Sequence, residues 1–169
     1  MSPILNLPGL RDARRADLDA MVAIYNATIA SRQVTADTEP VSVASREHWF
    51  AEHSAQKYPL WVLERDGAIV AWLSFSAFYG RPAYQHTAEV SIYVHEAARR
   101  QGIATQLLLQ ALSAAPALRL DTLLGFIFGH NAPSLALFAR HGFAAWAHLP
   151  RVAVLDGIER DLIIVGRRV

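Results

Sequence analysis

A short basic turn between a predicted strand and a predicted helix carries the clearest chemical signal in this sequence. The turn runs from Arg99 to Ala104 and places two arginines beside Gly102. Glycine lets the backbone approach a ligand closely, and the first turn of a helix presents unpaired N–H groups at the positive end of the helix dipole. This combination predicts an anion site, and we expect the anion to be a pyrophosphate.

The elements on either side of the turn have distinct periodicities. The preceding segment, Glu89 to Val94, alternates and contains Val, Ile and Tyr, which is typical of a strand. After the turn, apolar residues recur at the spacing of one helix face, namely Ile103, Leu107, Leu108, Ala111 and Leu112. The sequence therefore predicts a strand, a basic turn and a helix in succession.

Two familiar phosphate-binding motifs are absent from the chain. Neither G-x-x-x-x-G-K-[ST] nor G-x-G-x-x-G occurs. A basic turn that contains glycine also occurs at many helix starts that bind nothing. The turn alone therefore leaves a purely structural role open.

Composition limits the classes of function. The 169 residues are 53% hydrophobic and favour a single domain over 1–169 with a sizeable core. The 16 basic and 15 acidic residues nearly cancel, so we expect no general binding to nucleic acid or to a membrane surface. The absence of cysteine excludes disulfides and thiolate chemistry and fits a reducing cytoplasm.

Targeting, membrane and metal signals are also missing. The segment Met1 to Leu10 contains two prolines and no charged residue, so we expect neither a signal peptide nor an anchor there. No apolar run reaches the roughly 18 residues of a membrane span. His48 and His53 lack the spacing of a zinc-binding helix, and we expect no metal.

The remaining sequence predicts a mixed α/β architecture. Asp17 is expected to cap a first helix that ends near Ala30, and a second helix is expected to begin at Ser45 and end at Lys57-Tyr58-Pro59. Asp66-Gly67 and Asp156-Gly157 are hairpin turns between strand patterns. Further predicted elements are a strand near Arg11, strands at 60–64, 69–75, 87–94, 121–128, 152–155 and 162–165, and a helix from Asn131 to Gly142 with Leu135, Phe138 and Ala139 facing inward.

Two sequence blocks resemble signatures of the GNAT N-acetyltransferase superfamily. The first is Arg99-x-x-Gly102-x-Ala104 after a Ser-Ile-Tyr-Val strand. The second follows about one strand later and reads Asn131-x-x-Ser134-x-x-Leu137-Phe138-x-x-x-Gly142-Phe143. The segments 81–89 and 24–26 are similar to phosphinothricin and related amino-acid N-acetyltransferases, and the likeness spans roughly 11–164.

The resemblance implies a fold, a co-substrate and its contacts. The fold is a mostly antiparallel central sheet with helices on both faces, in which two parallel strands splay apart. The co-substrate is acetyl-CoA, which is bound in the gap between those strands. The implied binding residues are Ile92, Tyr93 and Val94 for the thioester and pantetheine arm, Arg99, Arg100, Gln101, Gly102, Ile103 and Ala104 for the pyrophosphate, and Asn131 and Ser134 for the arm.

Acetyl transfer to an amine requires a base, because an ammonium group must lose a proton before it attacks. Glu89 is the best candidate, since it opens the central strand and matches the family's Thr-x-Glu pattern. Burial against Phe75, Phe78 or Tyr84 would have to raise its pKa. His86 competes for the role but lies three residues away on the strand, which predicts that it points to the opposite face. A carboxylate that only holds the substrate ammonium remains the alternative for Glu89.

The resemblance also implies an acceptor site and exposes departures from the family. The implied substrate-binding residues are Phe78, Tyr79, Arg81, Tyr84 and Thr87. Many members have a tyrosine where Phe138 stands, and phenylalanine cannot protonate the leaving thiolate. Ala36, the Phe78-Tyr79-Gly80 segment and Glu159-Arg160 also differ from close relatives in size or charge.

We therefore expect a small amine or amino acid of the phosphinothricin and methionine-sulfone type as acceptor. Two other functions stay open. One is acetylation of a protein terminus or lysine, which predicts an open groove at Arg81, Tyr84 and Ala36. The other is a non-catalytic acyl-CoA sensor. The apolar stretch from Leu149 to Leu155 predicts a homodimer.

Overall fold

A seven-stranded sheet organises the chain, with the strand order β1-β2-β3-β4-β5-β7-β6. The computed structural model describes residues 7–169, so most of the segment predicted to lack a targeting signal lies outside the described residues. The strands are β1 (Leu10–Asp12), β2 (Leu60–Arg65), β3 (Ala68–Ala77), β4 (Thr87–Val94), β5 (Thr122–Phe128), β6 (Ala144–Leu155) and β7 (Ile158–Arg168). The helices are α1 (Leu18–Ile29), α2 (Glu47–Ala51), α3 (Ile103–Ala114) and α4 (Ala132–Arg140).

The predicted mixed sheet with one splayed parallel pair is confirmed. All neighbouring strands are antiparallel except β4 and β5, which are connected through α3 and run parallel. Their ladder is short, because it pairs only 87–89 with 122–124. Beyond Glu89 the two strands are no longer paired, and a gap opens between them.

Helices pack on both faces of the sheet, and strand alternation divides the core accordingly. On one face α3 contributes Leu107 and Leu108 to a large cluster that includes Phe75 and Val90. On the other face α1 packs against a second cluster that includes Trp72. Successive side chains of a strand point to opposite faces, so odd-numbered β4 residues face α1 and even-numbered ones face α3.

Both predicted hairpin turns are confirmed. Asp66 and Gly67 have φ values of 50° and 77°, and Asp156 and Gly157 have 51° and 77°. Two consecutive left-handed residues match the type I′ turn that follows the twist of an antiparallel pair. The predicted bounds of β4 and the predicted start of α3 at Ile103 are also confirmed.

Three local predictions are wrong. Asp17 does not cap α1, because its carboxylate accepts bonds from the Arg14 amide (2.7 Å) and the Arg11 guanidinium (2.7 and 2.9 Å). The second helix ends at Ala51, and an isolated bridge between Ser54 and Tyr58 replaces its predicted continuation. Ala139 is exposed on α4 rather than facing inward. Within residues 7–169, no helix is both long and apolar enough to span a membrane.

Candidate active site

Glu89 lies in a cavity on the face of the sheet covered by α1. The floor of this Glu89 cavity consists of three cross-strand pairs between β3 and β4, namely Ser76–Glu89, Ser74–Ser91 and Trp72–Tyr93. All six side chains share one face, because paired residues on neighbouring strands project together. The cavity volume is about 210 Å³, which suits a small molecule.

The roof of the Glu89 cavity comes from α1 and from the segment that leads into α2. Tyr25 projects from α1, Arg46 ends a 3-10 turn, and Trp49 follows in α2. The Arg46 guanidinium lies over the Tyr25 ring at 5.0 Å from the ring centroid. Arg46 also donates a 2.9 Å bond to Asp37, which accepts a further bond from the Tyr25 hydroxyl. The roof therefore contains a connected polar network, and it covers a floor of both polar and aromatic side chains.

The surroundings of Glu89 favour its protonated form more than water does. Burial raises the pKa of the Glu89 carboxyl, and a hydrogen bond with Ser91 acts in the opposite direction. The raised pKa was expected, but part of the expected cause is wrong. Phe75 points to the other face of the sheet and packs against Trp61. Trp72 and Tyr93 line the cavity instead, with their rings stacked at 4.4 Å.

A larger cleft occupies the gap between β4 and β5. This strand cleft has a volume of about 630 Å³ and is lined by both strands, the start of α3 and one side of α4. The His95 amide donates to Val70 on β3 (2.8 Å), so by alternation the peptide groups of Tyr93 face β3 as well. Those of Ile92 and Val94 consequently face the cleft, where β5 no longer pairs with them.

The basic turn forms one end of the strand cleft. Arg100 and Gly102 both have left-handed backbones, with φ values of 61° and 74°. A Cβ added to Gly102 would meet no atom within 4 Å, so the backbone there is open to a ligand. The first bond into α3 is from the Gln106 amide to the Gly102 carbonyl (3.0 Å). The earlier amides, from Ile103 to Thr105, precede that bond and lie at the positive end of the helix.

Most residues predicted to bind the co-substrate line the strand cleft. They are Ile92, Tyr93, Val94, Arg99, Arg100, Gly102, Ile103, Ala104, Asn131 and Ser134. Gln101 is the exception, because its side chain points away to Arg65 (3.3 Å) and to the Ala97 carbonyl (3.4 Å). The turn thus presents its backbone and two arginines, but not the glutamine, to the cleft.

Asn131 already has two protein partners. Its side-chain oxygen caps α4 by accepting from the Ser134 amide (3.3 Å), and its amide group donates to the Gln33 carbonyl (3.1 Å). His130 contacts the adjacent Arg32 carbonyl at 2.7 Å. Asn131 therefore attaches the loop after α1 to the rim of the strand cleft.

The five predicted acceptor-binding residues do not line the Glu89 cavity. Phe78, Tyr79 and Tyr84 form an aromatic cluster with centroid distances of 4.6 to 6.1 Å, and Tyr79 is 77% exposed. Arg81 is exposed at the start of a 3-10 turn. Thr87 is half-buried and shares the face of Glu89, since it lies two residues before it on β4. These residues border the end of β4 where Glu89 stands.

Phe138 belongs to the core at the base of the strand cleft. It is buried and packs edge-on against Phe143 at 4.9 Å. Gly125 makes room for it, because a Cβ on Gly125 would lie 2.9 Å from the Phe138 ring. His86 stays on the surface, where its Nδ1 lies 2.8 Å from the Arg119 carbonyl. Among the described residues, no three metal-ligating side chains form a group that could hold a metal ion.

Sequence reasoning missed Ser91 in the floor of the Glu89 cavity, Arg46 in its roof and Asp37, which binds Arg46. Strand periodicity could have predicted Ser91, because a residue two positions after Glu89 must share its face. Arg46 and Asp37 had no such signal, since both belong to the segment between α1 and α2, from which Arg46 reaches the cavity. Both residues contact Tyr25 of α1, and spacing along the chain does not reveal such tertiary contacts.

Comparisons with known proteins agree with this geometry. Residues 21–143 match the model of a family described as "Acetyltransferase (GNAT) family". The Bacillus subtilis (strain 168) protein named "Putative phosphinothricin acetyltransferase YwnH" is 55% identical over 94% of this chain and 97% of its own length. An L-methionine sulfoximine/L-methionine sulfone acetyltransferase from Pseudomonas paraeruginosa is 31% identical over 90% of both chains. The solved phosphinothricin acetyltransferase from Sinorhizobium meliloti, in complex with AcCoA, is 28% identical, with a TM-score of 0.89 over 100% of this chain and 89% of its own.

Proposed function

The chain belongs to the GNAT family of acetyltransferases, and from that premise we propose that it transfers acetyl from acetyl-CoA to the amino group of a small amino acid or amine. The phosphinothricin and methionine-sulfone type of acceptor is favoured by what the relatives are named for. The single observation that carries the proposal is the position of Glu89, which lines the Glu89 cavity at the point where the strand cleft begins.

The strand cleft fits acetyl-CoA in shape and in chemistry. An elongated acyl carrier with a pyrophosphate needs an anion site at one end and backbone hydrogen-bonding groups along its arm. The turn from Arg99 to Ala104 supplies the first through two arginines and the free amides of α3. Ile92 and Val94 supply the second, in the manner of a strand added to a sheet. Asn131 and Ser134 would contact the arm from the opposite wall.

Glu89 is proposed as the general base. When bound, acetyl-CoA supplies an acetyl group activated as a thioester. Glu89 accepts a proton from the acceptor ammonium, directly or through a water, and thereby frees the nitrogen lone pair. The new N–C bond then forms, the C–S bond breaks, and the nitrogen gives its second proton to water. An unpaired amide of β4 beyond Glu89 would stabilise the oxyanion that develops on the carbonyl oxygen.

Phe138 cannot protonate the leaving thiolate. That side chain has no ionisable group and is packed in the core against Phe143. We infer that coenzyme A leaves as the thiolate or is protonated by water, which is feasible because a thiol is a fairly strong acid among leaving groups.

The predicted acceptor residues outside the Glu89 cavity are proposed to form its outer rim. Thr87 shares the face of Glu89, and the aromatic cluster of Phe78, Tyr79 and Tyr84 follows β3 at the same end of the sheet. Arg81 lies between these aromatic residues in the chain. An acceptor longer than the cavity would contact this rim.

We propose that two copies of the chain form a homodimer through the hairpin of β6 and β7. The strand β6 lies at the edge of the sheet, and its side chains Val152 and Val154 are 55% and 60% exposed. A long edge strand with exposed apolar residues favours association with another chain. Association between two copies would cover both valines.

Release of the coenzyme A thiol, measured with a panel of amino acids and amines, tests the proposed function. We expect turnover with small amino acids and loss of that turnover in Glu89→Gln, with acetyl-CoA binding retained. A peptide acetyltransferase would instead turn over only peptides. Arg81, Tyr84 and Ala36 are all exposed, as the peptide alternative predicts. Glu89, in contrast, lies under the roof of Tyr25, Arg46 and Trp49, which supports a small acceptor, because a polypeptide requires an open groove.

A further inference from the structure

We propose that Arg46 binds the carboxylate of the acceptor, which makes the acceptor an α-amino acid rather than a simple amine. This inference rests on the proposed function of the Glu89 cavity. Arg46 and Glu89 are the only charged side chains among the described residues that line this cavity. An α-amino acid carries an ammonium and a carboxylate on one carbon, so it offers one hydrogen-bonding partner to Glu89 and one to Arg46.

The guanidinium of Arg46 is held in place but keeps donors free. Among the described residues, its only hydrogen-bond acceptor is Asp37, which contacts Nη2 at 2.9 Å. Nε, Nη1 and the second N–H of Nη2 therefore stay available to a ligand, and that N–H of Nη2 together with Nε or Nη1 can bind a carboxylate through paired parallel bonds. The Arg46 side chain is 28% exposed, so a bound carboxylate would be largely shielded from water.

Asp37 and Tyr25 act as positioning residues for Arg46. The Tyr25 hydroxyl donates to Asp37 and contacts Thr35, and the Tyr25 ring lies under the guanidinium. Burial and the neighbouring Asp37 raise the pKa of Tyr25, so the hydroxyl keeps its proton and its bond to Asp37. The pair of Arg46 and Asp37 is close to neutral as a unit. Recognition therefore depends on the geometry of the guanidinium more than on net charge.

The position of Arg46 differs from that of Arg81, the arginine that the family resemblance implies as a substrate-binding residue. Arg81 is exposed outside the Glu89 cavity, whereas Arg46 forms part of its roof. Both arginines could contact an acceptor, but only Arg46 lines the same cavity as Glu89. Their single substitutions separate the two possibilities.

The test compares an amino acid with its carboxamide, which keeps the amine and loses the anionic carboxylate. Methionine sulfone and methionine sulfone amide are the probes, and the variants are Arg46→Gln, Arg81→Gln and the surface control Arg15→Gln. We expect Arg46→Gln to raise KM for the acid by about tenfold or more, the size of one lost charge-assisted bond. We expect no comparable rise for the amide, and we expect Arg15→Gln to change neither.

A binding measurement gives a readout independent of turnover. Trp49 and Trp72 both line the Glu89 cavity, so titration of the tryptophan fluorescence with each probe in the presence of coenzyme A reports occupancy. Arg46→Gln should weaken binding of the acid and leave that of the amide unchanged. Retained turnover of the amide also shows that the variant is folded.

Two results would overturn the assignment. One is an equal effect of Arg46→Gln on acid and amide, and the other is a carboxylate-specific loss in Arg81→Gln but not in Arg46→Gln. Wild-type turnover of amines without preference for a carboxylate would also refute it, while leaving the proposed acetyltransferase intact. Absence of turnover with every amine would refute the proposed function itself.

Discussion

Glu89 and Leu124 form the last pair of the parallel ladder between β4 and β5. The proposed base is therefore the residue at which the two strands part. On one side of it lies the cavity that α1 covers, and on the other begins the cleft, where β5 no longer pairs with the backbone of β4. This position follows from the strand pairing itself, so the register of three residue pairs places Glu89 where the proposed acyl and amine sites adjoin.

Replacement of Glu89 by glutamine should lower kcat/KM by about two orders of magnitude or more, the usual contribution of a positioned base. Because burial raises the pKa of Glu89, the wild-type rate should rise with pH through a midpoint above the ordinary value of 4.5. That rise reports deprotonation of the base, so it should vanish in the variant. The pH profile of kcat/KM measures both effects.

Glu159→Gln is the matched control for this substitution, because Glu159 is exposed on β7. It should keep the wild-type profile. An unchanged pH profile in Glu89→Gln would show that another group is the base.

Replacement of Gly102 by alanine should weaken acetyl-CoA binding about tenfold or more, since a left-handed backbone and a new methyl group together oppose the anion site. Gly67→Ala is the control, because Gly67 has a similar φ of 77° and equally open surroundings in a hairpin turn. Both variants should lose about 1 kcal/mol of stability. Only Gly102→Ala should lose affinity, and equal affinities in a calorimetric titration would argue against the turn as the anion site.

Replacement of Asp17 by asparagine should cost about 2 kcal/mol of unfolding free energy at neutral pH, because a nearly buried charged pair with Arg11 is broken. The hydrogen bond from Arg11 holds the pKa of Asp17 below its ordinary range. The contribution is therefore present above the unfolded pKa of about 3.9 and is lost as the pH falls through the lower folded value.

Urea unfolding at several pH values measures this difference. The gap between wild type and Asp17→Asn should shrink as the pH falls below about 4. Glu47→Gln, which removes one partner of the exposed pair with Arg15, should change stability little at any pH. A gap that does not depend on pH would contradict the ionic origin of the effect.

The double variant Val152→Glu/Val154→Glu should be a monomer, because it places two charges on the exposed edge strand β6. Light scattering should give the mass of two chains for wild type and of one chain for the variant. Leu109→Glu on α3 is the control, since Leu109 is also exposed but lies on a different element. A single-chain mass for the wild type at micromolar concentration would refute the dimer.

The elements that the sequence predicted well are those with a local physical cause. Asp66-Gly67 requires a tight turn whatever surrounds it, and the alternation of β4 gave its bounds. Gly102 and the apolar spacing after it correctly predicted that α3 starts at Ile103. Local propensity was sufficient in each case because the neighbouring residues alone determine the conformation.

Predictions failed where a distant partner decides the outcome. Asp17 has the right type and place for a cap, yet its carboxylate binds the Arg11 side chain from β1. Phe75 looked available to Glu89, but its place in β3 turns it to the opposite face. Arg46 reaches the Glu89 cavity only through the fold of the segment after α1. Such contacts depend on tertiary packing, which spacing along the chain does not reveal.

The central claim is that the strand cleft binds acetyl-CoA with its acetyl group beside Glu89. Calorimetric titration of the full chain with acetyl-CoA, in wild type and in Glu89→Gln and Gly102→Ala, tests it most directly. We predict one saturable site per chain that Glu89→Gln retains and Gly102→Ala weakens. Absence of saturable binding in wild type, or equal affinity in wild type and Gly102→Ala, would contradict the claim.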